Sequence, residues 1–495
     1  MMNKDKKKKF ITCTLPYANS VPHIGHAFEF ILGDALTRYF RGKLGDSNVH
    51  FNLGLDEHGK KIYDAAISVG KTPIEFLDEL NGKWKEFCAR FCIEYNSFYK
   101  TSNKKHYELA SRFWIQCQEQ GLIYKKKYSG NYCVGCESFK LDKDLENGKC
   151  PDHPTLGIQK IEEENYFFAL TKFKDELILW SSEDIYLKPS SKIEELKNII
   201  DSIEDISISR IRKNVPWGIP VPNDPEQTIY IWYEALTNYF LILGYYDENS
   251  DIKEYWKDSV QIFGPDNLKF QAVIFQAMLK AANLGHTTAL LCHGTILDKE
   301  GKKMSKTVGN VIDPIDQLNK YGIDAVRYYA LSGLQVYGNS VWSEEQLVET
   351  HNAHLADNYG NLLTRVVHLI NLRDKDEQFD GCNYTDGKKA NYDLFEAHID
   401  SVKTLWENYD VTAALHKLND ITKLANQYIT EKAPWSKDAK DVEEVLSTLY
   451  WVLEEVTLLY LPVIPNRGKQ ALESLYNLRK EIVFPKISLI ENVLK

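Results

Sequence analysis

The chain has 495 residues, 43% of them hydrophobic and 26% charged, with a formal net charge of −10 at pH 7. That length exceeds what one hydrophobic core organises, so two or three domains are expected, and the composition is that of a soluble globular protein. The acidic balance excludes a surface coated uniformly for nucleic acid, but it leaves room for a local basic groove. The longest apolar run, around residues 458–464, is interrupted by Pro462, so no membrane span and no membrane partner are expected. Nine cysteines, only three of them clustered (at 133, 136 and 150), fit a reducing cytoplasm better than a disulfide framework. The basic start "MMNKDKKKKF" lacks the apolar core of a signal peptide and reads as a solvated tail.

Residues 10–15 read as a buried strand. The stretch "YANSVPHIGHAFEFILGDA" (17–35) follows, with apolar residues at helical spacing from Ala27 to Phe40. "NVHFNLGLDEHG" (48–59) is a second strand ending in a polar cluster, with a helix expected from Lys60. Between about 116 and 224 the texture changes to a cysteine cluster, acidic and Lys-rich helices, and the turn-rich "KNVPWGIPVPNDPEQ". Strand patterns resume at 228–236, 259–267 and 286–297, and Pro314 precedes a helix running through Tyr329. Beyond about 350, amphipathic helical patterns occupy 355–371, 397–408, 411–430 and 441–461, with a flexible loop expected at 373–389. The expected fold is α/β: a Rossmann-type parallel sheet split into 1–115 and 225–350 by a connective insertion at 116–224, followed by an all-α bundle at 351–495.

Three constellations carry chemistry. In "HIGH" (23–26), His23 and His26 bracket Gly25 at the start of a helix, whose N–H groups and dipole suit phosphate. The bland reading is that both histidines simply cap the helix. In "DKEGKKMSKTVGNVIDP" (298–314), lysines 299, 302, 303 and 306 make a cationic loop of the kind that nucleotidyl transfer needs around its charged oxygens. In "YCVGCESFKLDKDLENGKCPDH" (132–153), Cys133 and Cys136 with Cys150 and His153 form two knuckle pairs. That set suits one structural, tetrahedral Zn²⁺, and Gly135 and Gly148 supply turns.

The pair "HIGH" and "KMSKT" (303–307) resembles the signatures of class I aminoacyl-tRNA synthetases, with Thr307 at the last position. "TCTLPYAN" (12–19), "LDEHG" (55–59), "WGIPVP" (217–222), "IWYEALTNY" (231–239) and "EKAPW" (431–435) are similar to the methionyl-tRNA synthetase family, over nearly the whole chain. The resemblance implies ATP-dependent activation of methionine and its transfer to the 3′ end of the methionine tRNA. Mg²⁺ would accompany ATP, and the zinc would lie in the connective insertion. His23, Gly25, His26, Lys303, Ser305 and Lys306 would bind ATP, with His23, His26, Lys303 and Lys306 catalytic. Leu15, Tyr17, Asp56, Trp232, Ala235, Leu236, Tyr239, Phe270 and Gln271 would surround the amino acid. Asn361, Arg365 and Trp435 would read the anticodon. The C-terminal dimerisation and tRNA-binding module appended in some members of the family is not expected here, so a monomer is expected rather than a dimer.

One stretch departs from the pattern. In "GPDNLKFQAVIFQAML" (264–279), Gln271 stands where the family usually has histidine, Phe275 where many members have tryptophan, and Gln276 where proline is usual. A glutamine has an acceptor that a methionine side chain cannot satisfy. The alternative is therefore a paralog that activates another amino acid or acts outside translation.

Overall fold

A computed structural model describes residues 7–133, 138–140, 142, 145–151, 157–183, 186–304, 310–374 and 391–490. By compactness the chain forms two units. One comprises Met1–Val21, Ser47–Glu86 and Tyr95–His293, the other Pro22–Asp46, Phe87–Glu94 and Gly294–Lys495.

The first unit is built on a parallel sheet of six strands: β1 (Lys9–Cys13), β2 (Val49–Leu55), β3 (Ser97–Lys100), β4 (Leu187–Lys188), β5 (Ser259–Phe263) and β6 (Ala289–Cys292), in the order β3-β2-β1-β5-β6-β4. Every residue of β1, β5 and β6 is buried, as expected of parallel strands covered on both faces. Successive strands run outward from β1 to β3, and the sheet then resumes on the other side of β1 with β5. The reversal leaves a crevice at the carboxyl ends of β1 and β5, the place where open α/β sheets take ligands.

The segment at 116–224 differs from its sequence pattern in two ways. Its main element is a long antiparallel ribbon, Ile123–Cys133 paired with Ile158–Phe168 along their whole length, ahead of the helices Lys174–Glu183 and Lys192–Asp201. It also returns β4 to the edge of the parallel sheet, with Leu187 opposite Leu290. The run at 228–236 is a strand only at its start. Asp224–Ile229 joins a small antiparallel sheet, and Ile231–Leu236 is helical. Its β-branched and aromatic residues favour a strand, but the N–H groups of Tyr233 and Glu234 both turn back to the carbonyl of Tyr230, at 3.0 and 3.2 Å, and packing decides the outcome.

The second unit is mainly helical. Its first helix, Ile24–Leu44, is fixed by Asp34, which lies 2.6 Å from Arg327 and 2.7 Å from Arg38. Arg327 is fully buried and also donates to the carbonyls of Phe91, Pro462 and Val463 at 2.8–2.9 Å, so its charge is paired and its donors are used. The helix after Pro314 stops at Tyr321, because Gly322 takes a φ of +81°, and restarts as Ile323–Tyr328. Residues His351–Gly360 wind as a π-helix before Asn361–Asp374; the bundle is completed by Glu396–Glu407, Val411–Lys432, Val442–Tyr460 and Pro465–Tyr476. The expected loop at 373–389 lies almost wholly outside the described residues. Among the described residues no helix is long and apolar enough to cross a membrane.

Candidate active site

The two histidines of "HIGH" do cap the helix. His23 is the N-cap, and its Nδ1 accepts from the N–H groups of Gly25 and His26 at 3.1 and 3.4 Å. The Nδ1 of His26 accepts from the N–H of His23 at 3.2 Å, and the rings stack with centroids 3.7 Å apart. An imidazole that accepts through Nδ1 carries its hydrogen on Nε2, so the cap leaves both rings as Nε2–H donors. Capping and anion binding are therefore compatible. A Cβ on Gly25 would meet the His23 ring at 3.0 Å, so the glycine makes room for the cap itself.

The lysine loop belongs to the same unit. Lys303 forms an antiparallel bridge with Leu297, and Gly301 takes a φ of +74° in the turn between them. Asp298 closes the base of the loop. Its carboxylate accepts from Asn310 Nδ2 at 2.6 Å and from the N–H groups of Lys302 and Glu300 at 2.7 and 3.0 Å; the Asn310 bond first, then those N–H groups, hold its pKa below the usual range. The N–H of Ile24, inside "HIGH", donates to the carbonyl of Ile312 at 3.3 Å, which ties the strap leaving the loop to the start of the helix. Lys303 is exposed, while Ser305, Lys306 and Thr307 lie outside the described residues.

The residues expected to surround the amino acid lie in the first unit. Tyr17 and Asp56 face each other across a parallel bridge beyond the ends of β1 and β2; the N–H of Ala18 donates to the carbonyl of Asp56 at 2.8 Å, and the N–H of Asp56 to that of Pro16 at 2.9 Å. Tyr17 meets the edge of Trp232 at 5.9 Å, and Trp232 lies against Phe270 with centroids 3.5 Å apart. Leu15, Leu236 and Tyr239 belong to the apolar cluster on which Phe270 packs, and Ala235 is buried beside them. Trp232 Nε1 is buried without a hydrogen-bond partner among the described residues. Gln271 follows β5 in a π-helical turn, Phe270–Ile274, and donates through Nε2 to the hydroxyl of Tyr239 at 3.1 Å. Its acceptor is also used: Oε1 receives Gln261 Nε2 at 2.9 Å.

Sequence patterns missed the support beneath this pocket. Glu234, fully buried, accepts from His58 Nδ1 at 2.7 Å and from His106 Nε2 at 2.5 Å. Burial works to raise its pKa, but the two histidines outweigh that and the net shift is downward. This joins the segment of Asp56 to that of Trp232 through neighbours of each. Glu57 accepts from Asn81 and Ser102 at 2.5 Å, and its carbonyl receives Trp217 Nε1 at 2.6 Å. His58, Glu234 and Trp217 lie inside the quoted motifs, whereas nothing local marks His106.

In the helical region the guanidinium of Arg365 sits 5.5 Å from the Trp435 ring and its Nη1 lies 3.4 Å from Asn426 Oδ1. Asn361 is exposed at the start of the same helix as Arg365. Trp435 is 52% exposed, so it is not an ordinary core tryptophan. Asn426, held by Asn358 at 2.9 Å, was not marked by the sequence. Of the proposed metal set, Cys133 and Cys150 are fully buried thiols; Cys150 follows a tight Glu146–Lys149 hairpin in which Asn147 and Gly148 have φ of 52° and 75°. Cys136 and His153 lie outside the described residues, and among those described no group of three or more donors could hold a metal.

A family profile described as "tRNA synthetases class I (M)" matches residues 9–160 and 156–367. The methionine–tRNA ligase of Caldanaerobacter subterraneus subsp. tengcongensis is 35% identical over 483 residues, covering 95% of this chain and 74% of its own length. That of Nostoc sp. is 35% identical over 480 residues, covering 94% and 89%. Among solved structures, Mycobacterium tuberculosis methionyl-tRNA synthetase in complex with methionyl-adenylate superposes with a TM-score of 0.83 at 26% identity, over 98% of each chain.

Proposed function

The chain belongs to the methionine branch of the class I tRNA synthetases, and on that premise we propose how its residues divide the work of joining methionine to tRNA. In the first step the methionine carboxylate attacks the α-phosphorus of ATP in line and pyrophosphate leaves. In the second, a terminal ribose hydroxyl of the tRNA attacks the adenylate carbonyl and AMP leaves. A carboxylate nucleophile is already ionised, so activation needs no general base. What it needs is positioning and stabilisation of charge on the phosphate oxygens.

His23 and His26 meet that need as Nε2–H donors held by their own caps, and Gly25 allows the cap. Lys303, with Ser305 and Lys306 beyond the described residues, supplies cations and donors for the developing pyrophosphate. Mg²⁺ accompanies ATP and offsets phosphate charge. Asp56 binds the α-ammonium group, and Tyr17, Trp232, Phe270 and Tyr239 enclose the thioether, where sulfur–aromatic contacts are favourable. Asn361, Arg365 and Trp435 bind the anticodon, Trp435 by stacking an unpaired base. The two described thiols fit one structural Zn²⁺, which Cys136 and His153 would complete; it would hold the segment at 116–224 together. Within the chain, 1–115 and 225–350 carry activation and 351–495 carries tRNA recognition. The thiols of Cys88 and Cys117 are buried in apolar surroundings, and nine cysteines with only three clustered support a reducing, cytoplasmic compartment.

The observation that carries this reading is the double cap of "HIGH", because it fixes both imidazoles as donors in the unit that also holds the lysine loop. The relatives also weigh against a paralog acting outside translation, since those reported are methionine–tRNA ligases over nearly the whole chain. The test is charging of total tRNA with labelled methionine and ATP. One methionyl-tRNA is expected per AMP released, and AMP release without charging would overturn the second step.

A further inference from the structure

Gln271 departs from its family's pattern, and the groups behind it explain how a glutamine serves there. Four buried polar side chains form one network: Gln261, Gln271, Gln276 and Thr287, from 0 to 4% exposed. Two backbone groups fix its sense. The N–H of Thr287, which can only donate, points at Gln276 Oε1 at 2.9 Å, and the carbonyl of Gln271, which can only accept, lies 2.8 Å from Gln276 Nε2. The Gln276 amide therefore stands one way round.

From there the sense passes on. Gln276 Nε2 lies 3.3 Å from Gln261 Oε1, and the Thr287 hydroxyl donates to the same oxygen at 2.7 Å. Turning the Gln261 amide over would set two N–H donors against each other and leave the Thr287 hydroxyl hydrogen without its acceptor. Gln261 thus presents Nε2 to Gln271 Oε1 at 2.9 Å, which turns Gln271 Nε2 toward Tyr239 at 3.1 Å. A buried network with all members satisfied holds such an arrangement firmly.

Resting on the assignment of Gln271 and Tyr239 to the amino-acid pocket, we propose that Thr287, Gln276 and Gln261 are positioning residues that sequester the Gln271 acceptor and make this edge of the pocket hydrogen-bond-donating, so that it selects a side chain bearing an acceptor, a thioether, over one of equal shape without it. Gln276, where the family usually has proline, is the pivot, because both backbone anchors meet on its amide.

The test is pyrophosphate exchange with methionine and with norleucine, whose methylene replaces the sulfur. The readout is the ratio of the two kcat/KM values. Gln261→Leu and Thr287→Val are each expected to lower that ratio about 5- to 10-fold, the worth of one hydrogen bond, with KM for ATP unchanged. Thr287→Ser keeps the hydroxyl and keeps the ratio. In a Gln271→Leu background, Gln261→Leu is expected to have no further effect on the ratio, because it acts through Gln271. An unchanged ratio in folded Thr287→Val, or an undiminished Gln261→Leu effect without Gln271, overturns the proposal. Wild-type protein that exchanges with neither amino acid would overturn the pocket assignment instead, a result distinct from exchange with an unmoved ratio.

Discussion

The proposed amino-acid pocket and the signature pair handle polar groups in opposite ways. Around the pocket, in the first unit, the polar groups are buried and tied into networks: Glu234 between His58 and His106, and Gln261 between Gln271 and Thr287. In the second unit the cation Lys303 is exposed on a turn, and the two histidines are held by caps on their own helix. The difference follows from the tasks. Telling one side chain from another of similar size depends on desolvated, fixed groups, since an unpaired buried donor or acceptor is costly. Stabilising pyrophosphate depends on cations near spread charge, which a flexible stem supplies.

That contrast can be broken first where burial is deepest. Glu234→Ala leaves two buried histidines without their shared partner and is expected to cost about 3–5 kcal/mol of stability, read by denaturant unfolding. The same carboxylate sets an acid limit. Its pKa in the folded protein lies below the usual 4.5, so its contribution is full above that value and is lost as pH falls through the depressed one. Wild-type stability should drop below about pH 4.5, and the Glu234→Ala protein should show a shallower drop.

Lys303→Ala tests the other side of the comparison. Its exchange rate is expected to fall about 10²–10³-fold at saturating methionine, with KM for methionine and the unfolding curve nearly unchanged. A loss of stability of the size expected for Glu234→Ala would erase the distinction between the two regions. Trp435→Ala is expected to lower aminoacylation kcat/KM about 5- to 150-fold, the worth of one stacked base, while sparing pyrophosphate exchange. Equal loss in both assays would make Trp435 structural. The smallest effect is expected from Gly25→Ala, whose Cβ would press on the His23 ring: about 0.5–2 kcal/mol of helix capping, with a rise in KM for ATP as the imidazole shifts.

Much of this was legible in the sequence, because "HIGH", the lysine loop and the alternating strands are local patterns whose chemistry sits within a few residues. Three features were not. The ribbon Ile123–Cys133 with Ile158–Phe168 carries lysines and glutamates on its strands, so neither apolar alternation nor a continuous apolar run marks it. The run at 228–236 has strand-forming residues, yet tertiary packing turns its second half into a helix. The doubt raised by Gln271 could not be resolved from its neighbours, since the donor that satisfies its acceptor is ten residues earlier on β5 and the anchor is at Thr287, brought together only by the fold.

Exchange of labelled pyrophosphate into ATP, run against all twenty amino acids and homocysteine, with and without total tRNA, tests the central claim most directly. Exchange with methionine far above every other amino acid, and without need of tRNA, is the predicted result. Exchange driven by a different amino acid, with methionine inert, would contradict the account and leave the pocket built around Gln271 to be assigned anew.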